Sequence, residues 1–282
     1  MTERKLSPMT DLPSEQHLSV LCDLADIAAQ ESLMGFRSSL PITNKDAKKP
    51  GYFDPVTAAD QNAEKAVRKA IHARFPNHGI LGEEGGETKG TAPYRWVIDP
   101  IDGTRAFICG IPVWTTLIGL EENGTPIAGI IDQPFTKERW IGTVKGTAAY
   151  ETQHQSGIAK CSSCDDLSMA RLMVTDMRAD EYLQPDEAEA IAALAARVQV
   201  TRQGLDAYGI GLVASGHMDL VIEAGLSWYD IAACMPVIKA AGGTIMTWKG
   251  GKVRSDFHRG RIIIAATEEL AAQAAYHLEK VA

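Results

Sequence analysis

Trp96-Val97-Ile98-Asp99-Pro100-Ile101-Asp102-Gly103-Thr104 decides how this chain is read. An apolar, strand-like run ends in two aspartates three positions apart, followed by Gly-Thr and a Phe-bearing segment. A tight turn through Pro100 aims both carboxylates into one small volume. The Ile101 carbonyl can point the same way, because Pro100 fixes the local backbone. Hard oxygen ligands gathered like this suit Mg²⁺, which prefers carboxylates together with phosphate oxygens. Gly103 and Thr104 then offer backbone N–H groups at a helix start, where an anion is favoured. The plainer alternative is a solvated turn at a strand end, since Asp-Pro and Asp-Gly are common turn dipeptides.

Working outward, the 282 residues are 45% hydrophobic and 23% charged, a globular balance. That length fills one large domain or two intimately packed halves, which we expect at residues 1–151 and 152–282. A formal charge of −8 argues against a nucleic-acid partner, which would need a basic stripe. No apolar run approaches the roughly 20 residues that span a membrane. Residues 1–13 are polar and mixed in charge, unlike a signal peptide, so a cytoplasmic protein is expected. The five cysteines include one lone C-x-x-C, Cys161 to Cys164, without a second pair or nearby histidines. Free thiols in a reducing compartment account for them better than zinc does.

Residues 14–36 place Leu18, Leu21, Cys22, Ala25, Ala28 and Ala29 at helical spacing. Residues 41–53 read as a polar loop with a Pro50-Gly51 break. Asp60 then opens a helix carrying Ala63, Ala66, Val67, Ala70 and Ile71 on one face. The macrodipole alone explains an Asp there. A short strand closes in Glu83-Glu84. Hairpins are expected around Asn123-Gly124 and Lys145-Gly146. Residues 152–167 look like an irregular seam. Beyond it, strands and helices alternate, including one helix over 230–241 and a Gly242-Gly243 stop. This pattern implies two sheets covered by helices.

Several motifs stand in one order: Val56-Thr57-Ala58-Ala59-Asp60, then Glu83-Glu84, then Asp99-Pro-Ile-Asp102-Gly-Thr104, and last Trp228-Tyr-Asp230 before Ala241-Gly-Gly. Together they resemble the inositol monophosphatase-type family of Mg²⁺-dependent, lithium-sensitive phosphatases. The resemblance covers nearly the whole chain. It implies an α+β fold, a layered αβαβα sandwich, and phosphomonoester hydrolysis by metal-activated water. Glu83, Asp99 and the Ile101 carbonyl resemble ligands of a first Mg²⁺, and Asp99, Asp102 and Asp230 those of a second. A third, looser ion would lie near Glu83. Asp60 and Thr104 resemble the pair that orients and deprotonates the attacking water, while Gly103 and Thr104 N–H groups would hold the phosphate. The family also suggests a homodimer. Bound cations suit the chemistry, because they neutralise charge on the phosphoryl group and the leaving alkoxide.

Within the family, Thr104-Arg105-Ala106-Phe107 and Gly204-Leu205-Asp206-Ala207-Tyr208 are similar to the histidinol-phosphate phosphatase branch. Leu205 and Ser227-Trp228 depart from that branch's usual residues. L-Histidinol phosphate carries an ammonium and an imidazole, so extra carboxylates facing the pocket favour it by Coulomb attraction. Asp206 and Glu223 are the candidates, and Arg105 is a further substrate-binding candidate. Asp206 reads equally as an N-cap for the helix at Ala207, and Glu223 as a salt-bridged surface acid. Inositol 1-phosphate or other sugar monophosphates form the alternative substrate class. A non-catalytic regulatory binding protein is the third reading.

Overall fold

The computed structural model describes residues 16–39, 41–45, 55–179 and 182–282. The polar N-terminal stretch and the Pro50-Gly51 break lie outside them. Helices α1 (His17–Gly35) and α2 (Ala58–Arg74) flank a short ribbon of β1 (Thr43–Asn44) and β2 (Pro55–Val56). The chain continues through β3 (Gly79–Gly82), β4 (Gly86–Thr88), β5 (Tyr94–Asp102), α3 (Thr104–Ile108), β6 (Thr115–Glu122) and β7 (Thr125–Gln133). Next come β8 (Glu138–Thr143), β9 (Ala149–Glu151), β10 (Ser156–Ile158), β11 (Arg171–Val174), α4 (Pro185–Ala195), β12 (Val200–Gln203) and α5 (Asp206–Ala214). The last elements are β13 (Leu220–Glu223), α6 (Trp228–Ile231), α7 (Cys234–Ala240), β14 (Thr244–Thr247), β15 (Ile262–Ala265) and α8 (Glu268–Leu278).

An eight-stranded sheet runs β10-β9-β8-β7-β6-β5-β3-β4, antiparallel except where β3 lies parallel to β5. A five-stranded sheet runs β12-β11-β13-β15-β14, with parallel pairs on both sides of β11. Val20, Leu21, Leu24, Ala25 and Ala28 of α1 recur at helical spacing and are buried. With Ala63, Val67 and Ile71 of α2 they cover one face of the large sheet. The opposite face meets α5, α6 and α7, and α5 and α7 also pack on the small sheet. The far side of the small sheet is closed by α4 and α8. The architecture is therefore the expected α+β, αβαβα sandwich. Among the described residues no helix is long and apolar enough to cross a membrane.

Several local expectations change. Asp99 to Asp102 is not a turn; it stays within β5 across a bulge. Asp99 pairs with Leu117 and Asp102 with Thr115, so two residues stand opposite Thr116 alone. Pro100 is tolerated because bulged strands lose ladder bonds, and its carbonyl accepts from Thr116 Oγ1 at 2.8 Å. The helix expected over 230–241 is two helices, α6 and α7. Pro236 has no N–H to bond the Ala232 carbonyl, which breaks the ladder there. Residues 43–44 of the expected loop form β1, and the expected seam contains the edge strand β10. The Asn123-Gly124 hairpin is as expected, with both residues at positive φ, 51° and 76°.

Candidate active site

Two aspartates three apart would point to opposite faces of a regular strand. The β5 bulge adds the one residue that brings them to the same side. Asp99, Asp102 and Asp230 each place a carboxylate oxygen within 4.8 Å of the others'. That donor set, carboxylates only and gathered from two segments, fits a hard divalent cation. Asp99 Oδ1 also accepts from the Ile101 N–H at 3.1 Å. Asp102 Oδ2 accepts from the Ala207 N–H at 2.7 Å, so it anchors the first turn of α5. Asp230 arrives on α6, where its Oδ2 accepts from the Ser227 N–H at 2.7 Å in a capping box.

A row of glycines lets α7 and the link that joins it to α6 come close to the sheet. Gly119, Gly129 and Gly142 stand side by side across β6, β7 and β8. A Cβ on Gly129 would lie 2.0 Å from the Ala233 carbonyl oxygen, and one on Gly142 would lie 2.8 Å from Val237 Cα. Helix backbone therefore rests directly on the sheet. Sequence reading missed this row, because its members are paired only by register.

Glu83 lines the same pocket but lies outside the three-aspartate group. Lys45 donates to its Oε1 at 2.8 Å and also to Glu84. The Glu83-Glu84 turn is held from below by Glu64, which the sequence reading also missed. Glu64, 2% exposed, accepts from the N–H groups of Glu84 at 2.7 Å and Gly85 at 2.8 Å. Its only sequence signal is one turn's spacing from Asp60 on the same helix.

Asp60 serves two contacts. Its Oδ2 completes the α2 capping box, accepting from the Thr57 N–H at 2.9 Å and hydroxyl at 2.6 Å. Its Oδ1 faces the Thr104 hydroxyl at 3.5 Å, and that hydroxyl donates to the Ile101 carbonyl at 3.0 Å. Gly103 ends β5 at φ 78° and caps α3. Its missing side chain matters, since a Cβ there would sit 2.9 Å from Asp206 Oδ2.

Asp206 is not a side-chain N-cap. Leu205 holds that position without a capping bond, and Asp206 itself has φ 47°. That left-handed backbone, costly for most residues and mildest for Asp and Asn, turns the carboxylate onto Gly103 and toward Arg105. Glu223 is not a surface acid either. It is 7% exposed, and its Oε1 accepts from the Thr175 N–H at 2.8 Å and hydroxyl at 2.7 Å. Arg105 stacks its guanidinium 4.9 Å from the Tyr182 ring centre, and both line the pocket. Tyr208 points elsewhere, donating to Glu138 Oε2 at 2.8 Å.

Burial, reinforced at most of them by repulsion among neighbouring carboxylates, raises the proton affinity of six: Asp60, Asp99, Asp102, Asp206, Glu223 and Asp230. Burial first, then the charges of Glu83, Asp102 and Asp230, push Asp99 well up. Burial, then Asp206 and Asp230, do the same for Asp102. Asp230 is pushed up to about 7 by burial and Glu83. Burial lifts Asp206 to about 6 and Glu223 to about 8. Burial also raises Asp60, although its Thr57 hydrogen bonds oppose the shift. Bound cations would relieve this repulsion and restore the ionised forms.

An αβαβα sandwich with a carboxylate cluster between its sheets defines a class of site, one that can hold divalent cations, and comparison with known proteins identifies the class of enzyme as a phosphoric monoester hydrolase. The sequence profile described as the inositol monophosphatase family matches residues 14–282. The chain belongs to that family. It is 42% identical over 247 residues to the chloroplastic bifunctional phosphatase IMPL2 of Arabidopsis thaliana, covering 86% of this chain and 68% of the relative. A histidinol-phosphatase of Chlorobaculum parvum is 33% identical over 259 residues, 88% of this chain and 95% of the relative. An inositol-1-monophosphatase of Mesorhizobium japonicum is 33% identical over 212 residues, 75% and 79%. The solved inositol monophosphatase of Zymomonas mobilis superposes with a TM-score of 0.82 at 33% identity, covering 95% of this chain and all of that one.

Proposed function

We propose that this chain hydrolyses L-histidinol phosphate to L-histidinol and phosphate, a step of histidine biosynthesis, with Mg²⁺ in the pocket. The observation that carries the reading is a pair of carboxylates, half-buried Asp206 and buried Glu223, lining the same pocket as the aspartate cluster. A cationic alcohol meets them with Coulomb attraction, whereas a neutral polyol gains less. Relatives named histidinol-phosphatase support it.

Asp99, Asp102 and Asp230, with Glu83 and the Ile101 carbonyl, would hold two Mg²⁺ ions; a third near Glu83 would have to displace Lys45. When bound, Mg²⁺ supplies charge neutralisation of the phosphoryl and leaving oxygens. Gly103 and Thr104 N–H groups cradle the phosphate. Thr104 Oγ1 takes a proton from the attacking water and passes its own to Asp60 Oδ1, after turning from the Ile101 carbonyl. The raised proton affinity of Asp60 suits a general base. The new P–O bond forms as the bond to the alkoxide breaks; the alkoxide takes a proton from solvent water and leaves as histidinol, and Asp60 returns its proton to solvent. Lithium sensitivity, a homodimer and a reducing compartment complete the reading; five free thiols support the last.

Phosphate release with Mg²⁺ from histidinol phosphate and from inositol 1-phosphate tests the assignment. At least tenfold higher kcat/KM on histidinol phosphate is expected. Equal or reversed values favour the second reading, an inositol or broad sugar-phosphate phosphatase, which relatives named inositol-1-monophosphatase support.

A further inference from the structure

Glu121 closes the buried face of β6 with a side chain that is fully inaccessible. Both of its oxygens are engaged. Arg95 Nε donates to Oε2 at 2.6 Å, and the indole N–H of Trp228 donates to Oε1. Arg95 stands directly opposite Glu121 in the β5–β6 register and also reaches Glu87 at 3.1 Å. Trp228, 7% exposed, is the first residue of α6, two before Asp230. One carboxylate thus joins the strand that carries Asp99 and Asp102 to the helix that carries Asp230.

The connection matters because α6 has only four residues. A single turn cannot hold its own orientation, since helix nucleation is unfavourable without tertiary support. Its capping box uses the Asp230 carboxylate, the same group the cation site needs. Gly119 and Gly129 seat the Ala232-Ala233 link that follows it, which fixes how closely its C-terminal end approaches the sheet but touches nothing at its first turn. Rotation is stopped by a directional bond, and the Trp228 indole N–H supplies one. A neutral acceptor would satisfy the indole alone. A carboxylate adds a second charge-assisted bond to Arg95, which fixes the acceptor and offsets its burial.

We infer that Glu121 is a positioning residue for the cation site. Clamped between Arg95 and Trp228, it orients α6 so that Asp230 meets Asp99 and Asp102. This rests on the reading of those three aspartates as metal ligands. Calorimetric Mn²⁺ titration of the metal-free full-length chain tests it, alongside thermal melts. Glu121→Ala and Trp228→Phe should each weaken Mn²⁺ binding tenfold or more. Glu121→Gln keeps an acceptor for the indole but loses the charge-assisted bond to Arg95, so it should weaken Mn²⁺ binding less than Glu121→Ala does. Ile263→Val, a core truncation on the small sheet, should lower Tm and leave Mn²⁺ affinity unchanged. If Glu121→Ala does not fold, Trp228→Phe decides. Variants that melt lower yet bind Mn²⁺ like wild type would overturn the positioning role alone. A wild type that binds no Mn²⁺ would remove the cation-site reading, and this inference with it.

Discussion

Asp206→Asn isolates the feature on which substrate choice is proposed to depend. Asn tolerates the left-handed backbone at φ 47° nearly as well as Asp, whereas Ala would add strain of about 1 kcal/mol there. The substitution keeps the contact over Gly103 and removes only the charge. Burial pushes Asp206 up to about 6, so above that pH it is largely ionised. Losing one charge-assisted bond to a cationic alcohol is worth about 1.5–3 kcal/mol, or about 10- to 150-fold in KM. Steady-state phosphate release at pH 7.5, on histidinol phosphate and on glycerol 2-phosphate, reads the effect. The neutral ester should change by less than about threefold. The Tm should not fall, because the variant relieves repulsion that Asp206 exerts on Asp102 and Glu223. Equal losses on both esters, accompanied by a lower Tm, would refute the specificity role.

Three further outcomes are expected. Thr104→Ala and Asp60→Asn should lower kcat at least 100-fold while KM moves little, since both act on the attacking water; steady-state kinetics in which KM carries the loss would reassign them to substrate binding. Gly129→Ala forces a methyl into the Ala233 carbonyl and should lower stability by at least about 1–3 kcal/mol, read by urea unfolding; an unchanged midpoint would show that α6 and α7 do not depend on that close approach. The EDTA-treated protein should melt higher at pH 5.5 than at pH 8. Glu223 and Asp230 have folded values raised to about 8 and about 7, so the folded state holds more protons than the unfolded one. Their contribution is full below about 4 and is lost as pH rises through 7 and 8. Added Mg²⁺ should restore Tm at pH 8, and a metal-free Tm that rose with pH would contradict the crowded-carboxylate picture.

The elements legible in the sequence were those whose signal is local. The α1 and α2 faces repeat within one helix, and Asn123-Gly124 announces its own hairpin. Asp99, Asp102, Gly103 and Thr104 fell into one pocket with Glu83, Asp206, Glu223 and Asp230, and Asp60 stands behind Thr104. What could not be read depends on partners distant in the chain. Asp99-Pro100 looks like turn chemistry unless Thr116 is known to lie opposite it. The carboxylate of Asp206 lies against Gly103 only because β5 and α5 converge. Lys45 read as loop, yet it sits on Glu83 and Glu84. Pro236 did carry a local signal for the helix break, outweighed by the apolar period around it.

The placement of these supports follows from the charge they confine. Asp99 and Asp102 come from one strand, and the bulge fixes their spacing covalently. Asp230 belongs to another segment, and in the absence of cations its carboxylate is repelled by both. A short helix hung from a flexible loop would move away under that repulsion, and the cation site would open. The chain resists this from two sides. The glycine row lets α7 and the Ala232-Ala233 link that joins it to α6 rest on the sheet at backbone distance, so any outward motion sacrifices close packing there. The Glu121 clamp acts at the other end of α6, where it holds Trp228 to the strand opposite Arg95. Cation binding then has little ordering left to do, and its free energy goes into charge neutralisation at a site already shaped for it.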